Sequence, residues 1–528
     1  MTRFKLILAV AIMCGLLWSC DKFDEMRRNE VLGVNPTEEG GCLEMKEATF
    51  GPQTGHPFAM DNVIKAFRQL DTKVQGSITE EEILPTDMYV RFMPANEKEQ
   101  DLVKSIPEVE VYQYPLDCEV TSGFVGANNP YIVNGFPQYW CVVPKDFDFS
   151  TISCAYEIES MLWKPSFLEV PDTKSEENDF ERALYEELCL EQGIEMELPV
   201  ATKATKYYPS GYVKYEDTEL GVVGIEGMEV DAFNFWHNYK AYSTNTGYLN
   251  YGGHYFTSSY KYRVKFEREH FAVKNEGEHV DMEFVTELTT SIINQIFTGI
   301  YARYSVLFQA AERYYFQDID IPRPPYNGTW QTCLRICVYP HMADMSGQGL
   351  VGKFSVYEQP ILADRPLVYI WDKDQNGYRR SDEYYTTAIH ELTHAMHFGF
   401  DPQAYKTIDL GLQESLSRGV ERYLTQQRYS VDNQPEGDYD RGRYTGIMRD
   451  LTDGEKNVVC NVKYNGNGPV FSPKSYHDSI DSAYTFAELI EAIKTCNTPL
   501  EWKTRIKDLY PGRVSDIYLD NAFNFWFE

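Results

Sequence analysis

His390-Glu391-Leu392-Thr393-His394, with Leu412-Gln413-Glu414-Ser415-Leu416 placing Glu414 twenty residues beyond His394, is the stretch from which the rest of this chain is read. Two histidines four apart on a helix stand one above the other, roughly 6 Å along the axis, so both imidazoles can reach one ion from the same face. Glu391 projects close by. A metal site that keeps an open position needs a third protein ligand from elsewhere, and Glu414 supplies a carboxylate for it. Gly399, Pro402 and Gly411 break the pattern after the histidines, and residues 412–429 then resume a helix with Leu412, Leu416, Val420 and Leu424 four apart. Upstream, Arg365-Pro366-Leu367-Val368-Tyr369-Ile370-Trp371 reads as a short strand at the edge of a sheet. The local order expected is therefore strand, loop, helix, loop, helix.

From residue 386 to residue 423 the chain resembles the gluzincins, the thermolysin-like peptidases in which His-Glu-x-x-His is completed by a glutamate on the next helix. That resemblance implies zinc held by His390, His394 and Glu414, Glu391 as the general base of peptide hydrolysis, and a mainly helical catalytic domain with a short sheet. Tyr405 falls where that family has a tyrosine that helps hold the transition state, and His477, in Ser475-Tyr476-His477-Asp478, is the second candidate for that role. The family's carboxylate four residues past the glutamate ligand is here Arg418, so the partner of His390 is sought in Asp409 or a backbone carbonyl. His397 extends the histidine stripe, but at about 10 Å along the axis from His390 it is too distant for ligands near 2.0 Å from one ion.

A second metal signal precedes the helix. Asp372, Asp374 and Asn376, with Gly377 and then Glu383, match the twelve-residue calcium loop of alternating oxygen ligands closed by a bidentate glutamate. A solvated turn capping the motif helix explains the same residues, and Arg379 stands where calcium loops carry an apolar side chain. The sequence leaves both readings open.

At the amino terminus, Arg3 and Lys5 precede an apolar stretch over residues 6–18 that ends in Leu17-Trp18-Ser19-Cys20. It is similar to a bacterial lipoprotein signal, which implies a signal peptide over 1–20, acylation of Cys20 and tethering of the body to the outer membrane. Asp21-Lys22-Phe23-Asp24-Glu25 resembles the acidic tags of surface-exposed lipoproteins. The net charge of −31 repels polyanions, which argues against nucleic acid as a partner; the resemblance to the gluzincins implies a protein or glycoprotein substrate.

The expected fold class is α+β and multidomain. Residues 21–60 read as a polar tether, and 61–205 as a small α/β unit with helices over 62–70, 96–105 and 181–192 and strands over 88–93 and 109–114. Short alternating runs over 206–275 suggest a β-sandwich that resembles the transthyretin-like domains found beside carboxypeptidases. Residues 276–528 form the expected metal-binding domain, with core helices over 284–315 and late helices over 486–494 and 500–509. Nine cysteines besides Cys14 and Cys20 read mostly as buried thiols, with Cys333 and Cys337 either paired or packed. Two further classes stay open, a degenerate zinc-binding adhesin and a glycan- or protein-binding lipoprotein centred on the sandwich.

Overall fold

The computed structural model describes residues 46–527 except 127–128, 169–175, 198–204, 276–278, 325–332, 340–351, 358–364, 372, 375–376, 431–444, 453–457, 465–468, 478–479 and 481–482. The signal-like segment and Cys20 lie outside the described residues.

Helix Met60–Gln69 buries Val63, Ala66 and Phe67 as a stripe against helix Glu176–Gln192. Helix Glu97–Lys104 starts where Asn96 accepts the Glu99 N–H at 3.0 Å, the side-chain cap that an asparagine before a helical run supplies. Strand Asp87–Met93 runs antiparallel between Tyr139–Pro144 and Ala155–Leu162. The strand expected over 109–114 reduces to one antiparallel bridge between Tyr112 and Trp140. The span read as a polar tether carries regular structure within residues 46–60. Strand Phe50–Gln53 pairs with Cys118–Val120, and the Ala48 N–H donates to the Phe124 carbonyl at 2.9 Å, because Phe50 has Tyr114 and Tyr131 to pack on.

Strands follow densely after Ser210, as the alternating pattern requires, but they divide among three sheets. Ser210–Asp217 pairs antiparallel with Gly221–Gly224 and Tyr248–Asn250, and parallel with Ile293–Phe297. Gly211 sits at φ +132°, where a Cβ would meet the Ile293 carbonyl, so only glycine permits that crossing. A second sheet runs Asn238–Tyr242, Glu229–Phe233, Lys261–Lys265, Glu283–Val285 and Gly123–Val125. Its last strand comes from the amino-terminal unit. Strands of the span read as a sandwich therefore pair beyond it, with Glu283–Val285, Ile293–Phe297 and Gly123–Val125, while two strands of that span lie in a third sheet.

Those two, Glu267–Arg268 and Phe271–Lys274, join Leu334–Tyr339, Arg365–Trp371 and Gly352–Tyr357 in a five-stranded sheet. The middle three are parallel, and Gly352–Tyr357 is an antiparallel edge strand. Arg365–Trp371 is thus an interior strand, paired on both sides, which corrects its reading as the edge. Its Leu-Val-Tyr-Ile run fits a strand buried from both faces.

Helices Gly299–Phe316 and Ser381–Phe400 pack on this sheet and on each other, Leu410–Tyr429 packs on Ser381–Phe400, and Ser381–Phe400 carries the histidine motif. Helices Phe486–Ile493 and Pro499–Leu509 form as expected, and Asp516–Phe527 adds a third behind them. Gly419 lets helix Ile447–Thr452 approach the glutamate helix so closely that a Cβ there would stand 2.4 Å from the Met448 Cβ.

One core runs from Val213 and Val230 of the sandwich strands through the motif helix to Trp526, so residue 276 is not a boundary in the packing. The amino-terminal unit is tied on by partly buried ion pairs. Lys104 Nζ lies 2.9 Å from Asp281, and the buried Arg263 pairs with both Asp231 and Glu110. Cys333 and Cys337 form no disulfide with each other, and six of the seven described thiols are buried, as apolar packing predicts. Among the described residues no helix is long and apolar enough to cross a membrane.

Candidate metal centre

The motif helix is buried along most of its length, which fixes its rotation and leaves His390, Glu391 and His394 on one side. Behind them Thr393 packs on helix Gly299–Phe316. The glutamate helix begins at Asp409, whose carboxylate accepts the Leu412 N–H at 3.2 Å, and this cap sets Glu414 in the first turns facing the histidines.

His390 Nε2 lies 3.1 Å from His394 Nε2 and 3.1 Å from Glu414 Oε2, and His394 Nε2 lies 3.5 Å from the same oxygen. Donors 2.0–2.1 Å from one ion in tetrahedral array lie about 3.3–3.4 Å apart. The triangle therefore has the size that a zinc-like ion demands. All three residues are buried, and among the described residues this is the one group of His, Cys, Asp and Glu side chains placed to hold a metal.

The outer nitrogens are held as well. His390 Nδ1 lies 2.7 Å from Glu421 Oε2, whose other oxygen is bound by Arg418. A carboxylate there would keep the proton on Nδ1 and leave the Nε2 lone pair available to a metal ion. Asp409 is spent on its helix cap, so it is not that partner. Glu421 stands seven residues beyond Glu414, two helical turns on the same face, and that spacing was the sequence signal for it. His394 Nδ1 has the Tyr405 hydroxyl at 3.0 Å and Ser417 Oγ at 3.2 Å.

Burial works against charge on His390, yet Glu421 and Glu414 outweigh it and hold the imidazole well above the usual histidine range. Burial likewise opposes the Glu414 carboxylate, but the two histidines keep it well below the carboxylate range. Glu391 is 2 % exposed. Burial, then Glu414 and Glu391, push the Tyr405 phenol far up, so it stays a hydrogen-bond donor.

Other expected residues fall as follows. His397 is buried against Tyr405, ring centroids 5.4 Å apart, and burial lowers its pKa to about 3; it is outside the donor group. Of the calcium loop, Asp372 and Asn376 lie outside the described residues, as does the side chain of Asp374. Glu383 accepts the Arg380 N–H at 3.2 Å, a cap on the motif helix. His477 ends strand Pro469–His477, and its side chain lies outside the described residues.

Fold and site together define a mixed α/β protein with a buried two-histidine, one-glutamate group able to hold a metal ion. No family model matches the chain, and neither a curated protein nor a solved structure does.

Proposed function

We propose that this chain is a zinc-dependent endopeptidase of gluzincin type, anchored to the bacterial outer membrane through a lipid on Cys20 and acting on extracellular proteins or glycoproteins. The observation that carries the reading is the 3.1–3.5 Å donor triangle of His390, His394 and Glu414. Two imidazoles and one carboxylate are the donor set of a hydrolytic zinc site, which keeps a fourth position for water, whereas structural zinc sites close all four.

Zinc bound there supplies a Lewis acid and water activated near neutral pH. The chain's own residues do the rest. Glu391, next to His390 in the motif, takes the proton of the attacking water and returns it to the leaving amine. Tyr405, held as a phenol, is a donor beside the site. The antiparallel edge strand Gly352–Tyr357 offers backbone groups along which an extended peptide can lie, the β-augmentation mode of peptide recognition.

Metal analysis of the purified full-length chain, with casein cleavage before and after chelation, tests this. One zinc per chain and cleavage restored by added zinc are expected. Absence of bound metal overturns the reading, and zinc without cleavage favours the degenerate adhesin.

A further inference from the structure

We infer that Arg418 is a positioning residue of the metal centre, acting on His390 through Glu421. The inference rests on the zinc reading above and concerns residues that touch neither the ion nor the substrate.

Glu421 Oε2 fixes the outer nitrogen of His390 at 2.7 Å, but a glutamate side chain has three torsions and holds an imidazole only as well as it is held itself. Arg418, one turn earlier on the same helix, binds the second oxygen, Glu421 Oε1. His390, Glu421 and Arg418 are 5 %, 3 % and 8 % exposed, so the chain of contacts runs through the interior. A buried ion pair contributes little net stability, because desolvating both charges nearly cancels their attraction. Retaining one beside a ligand therefore calls for a reason other than stability.

Charge supplies that reason. Glu391, Glu414 and Glu421 place three carboxylates around the site, and Arg418 offsets one. The guanidinium holds the outer oxygen of Glu421 and leaves the other oxygen to His390. With an apolar residue at 418, the carboxylate that orients His390 would keep the imidazole but lose the cation on its other oxygen. The cation at 418 and the carboxylate at 421 thus work as a unit, one turn apart.

The test is a double-mutant cycle on the purified full-length chain, reading zinc dissociation constants by competition with a chromogenic chelator. Glu421→Gln is expected to weaken zinc binding about 10–100-fold, the range for losing a ligand's hydrogen-bond partner. Arg418→Met should weaken it by about 10-fold, Arg418→Lys by less, and the double variant no more than Glu421→Gln alone. The cobalt-substituted protein gives a second readout, since a turned imidazole alters the visible spectrum. Zinc affinity and cobalt spectrum unchanged in Arg418→Met, or losses that add in the double variant, would overturn the inference. Should Arg418→Met fail to fold, the cycle is run with Arg418→Lys, which keeps the charge, and the same additivity decides. If the wild type binds no zinc, it is the proposed function that falls. If the wild type binds zinc and the Arg418 variants match it, only the positioning role falls.

Discussion

The Tyr314 hydroxyl meets Thr393 Oγ1 at 3.1 Å in the interior, joining the helix Gly299–Phe316 to the motif helix at the residue between Leu392 and His394. Thr393 Oγ1 donates its own proton to the Ile389 carbonyl at 2.8 Å, so the tyrosine is the donor in this contact. A motif position outside the donor group thus ties the histidine helix to its neighbour from behind.

Thr393→Val keeps the shape and removes the acceptor, stranding a buried hydroxyl. We expect a loss of about 1–3 kcal/mol in urea denaturation with zinc content unchanged. A variant as stable as the wild type would mean that the contact carries no weight.

Glu391→Gln leaves the three ligands in place and removes the base. Zinc content should equal that of the wild type while peptide cleavage falls by at least about 100-fold, the usual scale of general base catalysis. Cleavage at the wild-type rate would refute the role given to Glu391.

Glu414→Ala removes a direct donor, whereas Glu421→Ala removes a hydrogen bond to a donor. Zinc retention in dialysis against a chelator should fall further in the first than the roughly 10–100-fold expected of the second. Equal losses would show that the wrong glutamate has been assigned to the ion.

Glu283 gives a pH signature away from the site. It is 5 % exposed, and burial, reinforced by Asp281 and opposed by Arg263, pushes its carboxyl up to about 7 from an ordinary value of 4.5. An acid raised in this way favours folding in its protonated form. The contribution is fully present below pH 4.5 and is lost as pH rises through about 7. Glu283→Gln cannot ionise, so it should match the wild type near pH 4.5 and exceed it above pH 8 by up to the order of 3 kcal/mol. Urea melts at the two ends of that range decide it, and a difference independent of pH would refute the titration.

Cys20→Ala should release the chain from membranes without loss of cleavage in the soluble fraction. Fractionation that still finds it with membranes would remove the lipid anchor from the proposed function.

What the sequence determined by itself are relations within one element. The covalent geometry of a helix puts His390, Glu391 and His394 on one face whatever surrounds them, and Asn96 caps its own helix through atoms three residues away. Alternation in Ser210–Asp217 made a strand legible for the same reason. Relations between elements were decided only in the tertiary structure. The sequence nominated Asp409 for His390, but helix packing brought Glu421 to it across 31 positions. Arg365–Trp371 read as an edge because a strand's own residues do not reveal how many neighbours it has; Leu334–Tyr339 and Gly352–Tyr357 enclose it. Phe271–Lys274, within the span read as a sandwich, instead pairs with Leu334–Tyr339 in the sheet under the motif helix, since a short apolar strand pairs wherever a backbone edge and a matching core lie open. Periodicity is written in the chain locally, whereas partner choice depends on the summed burial of surfaces hundreds of residues apart, which no single stretch encodes.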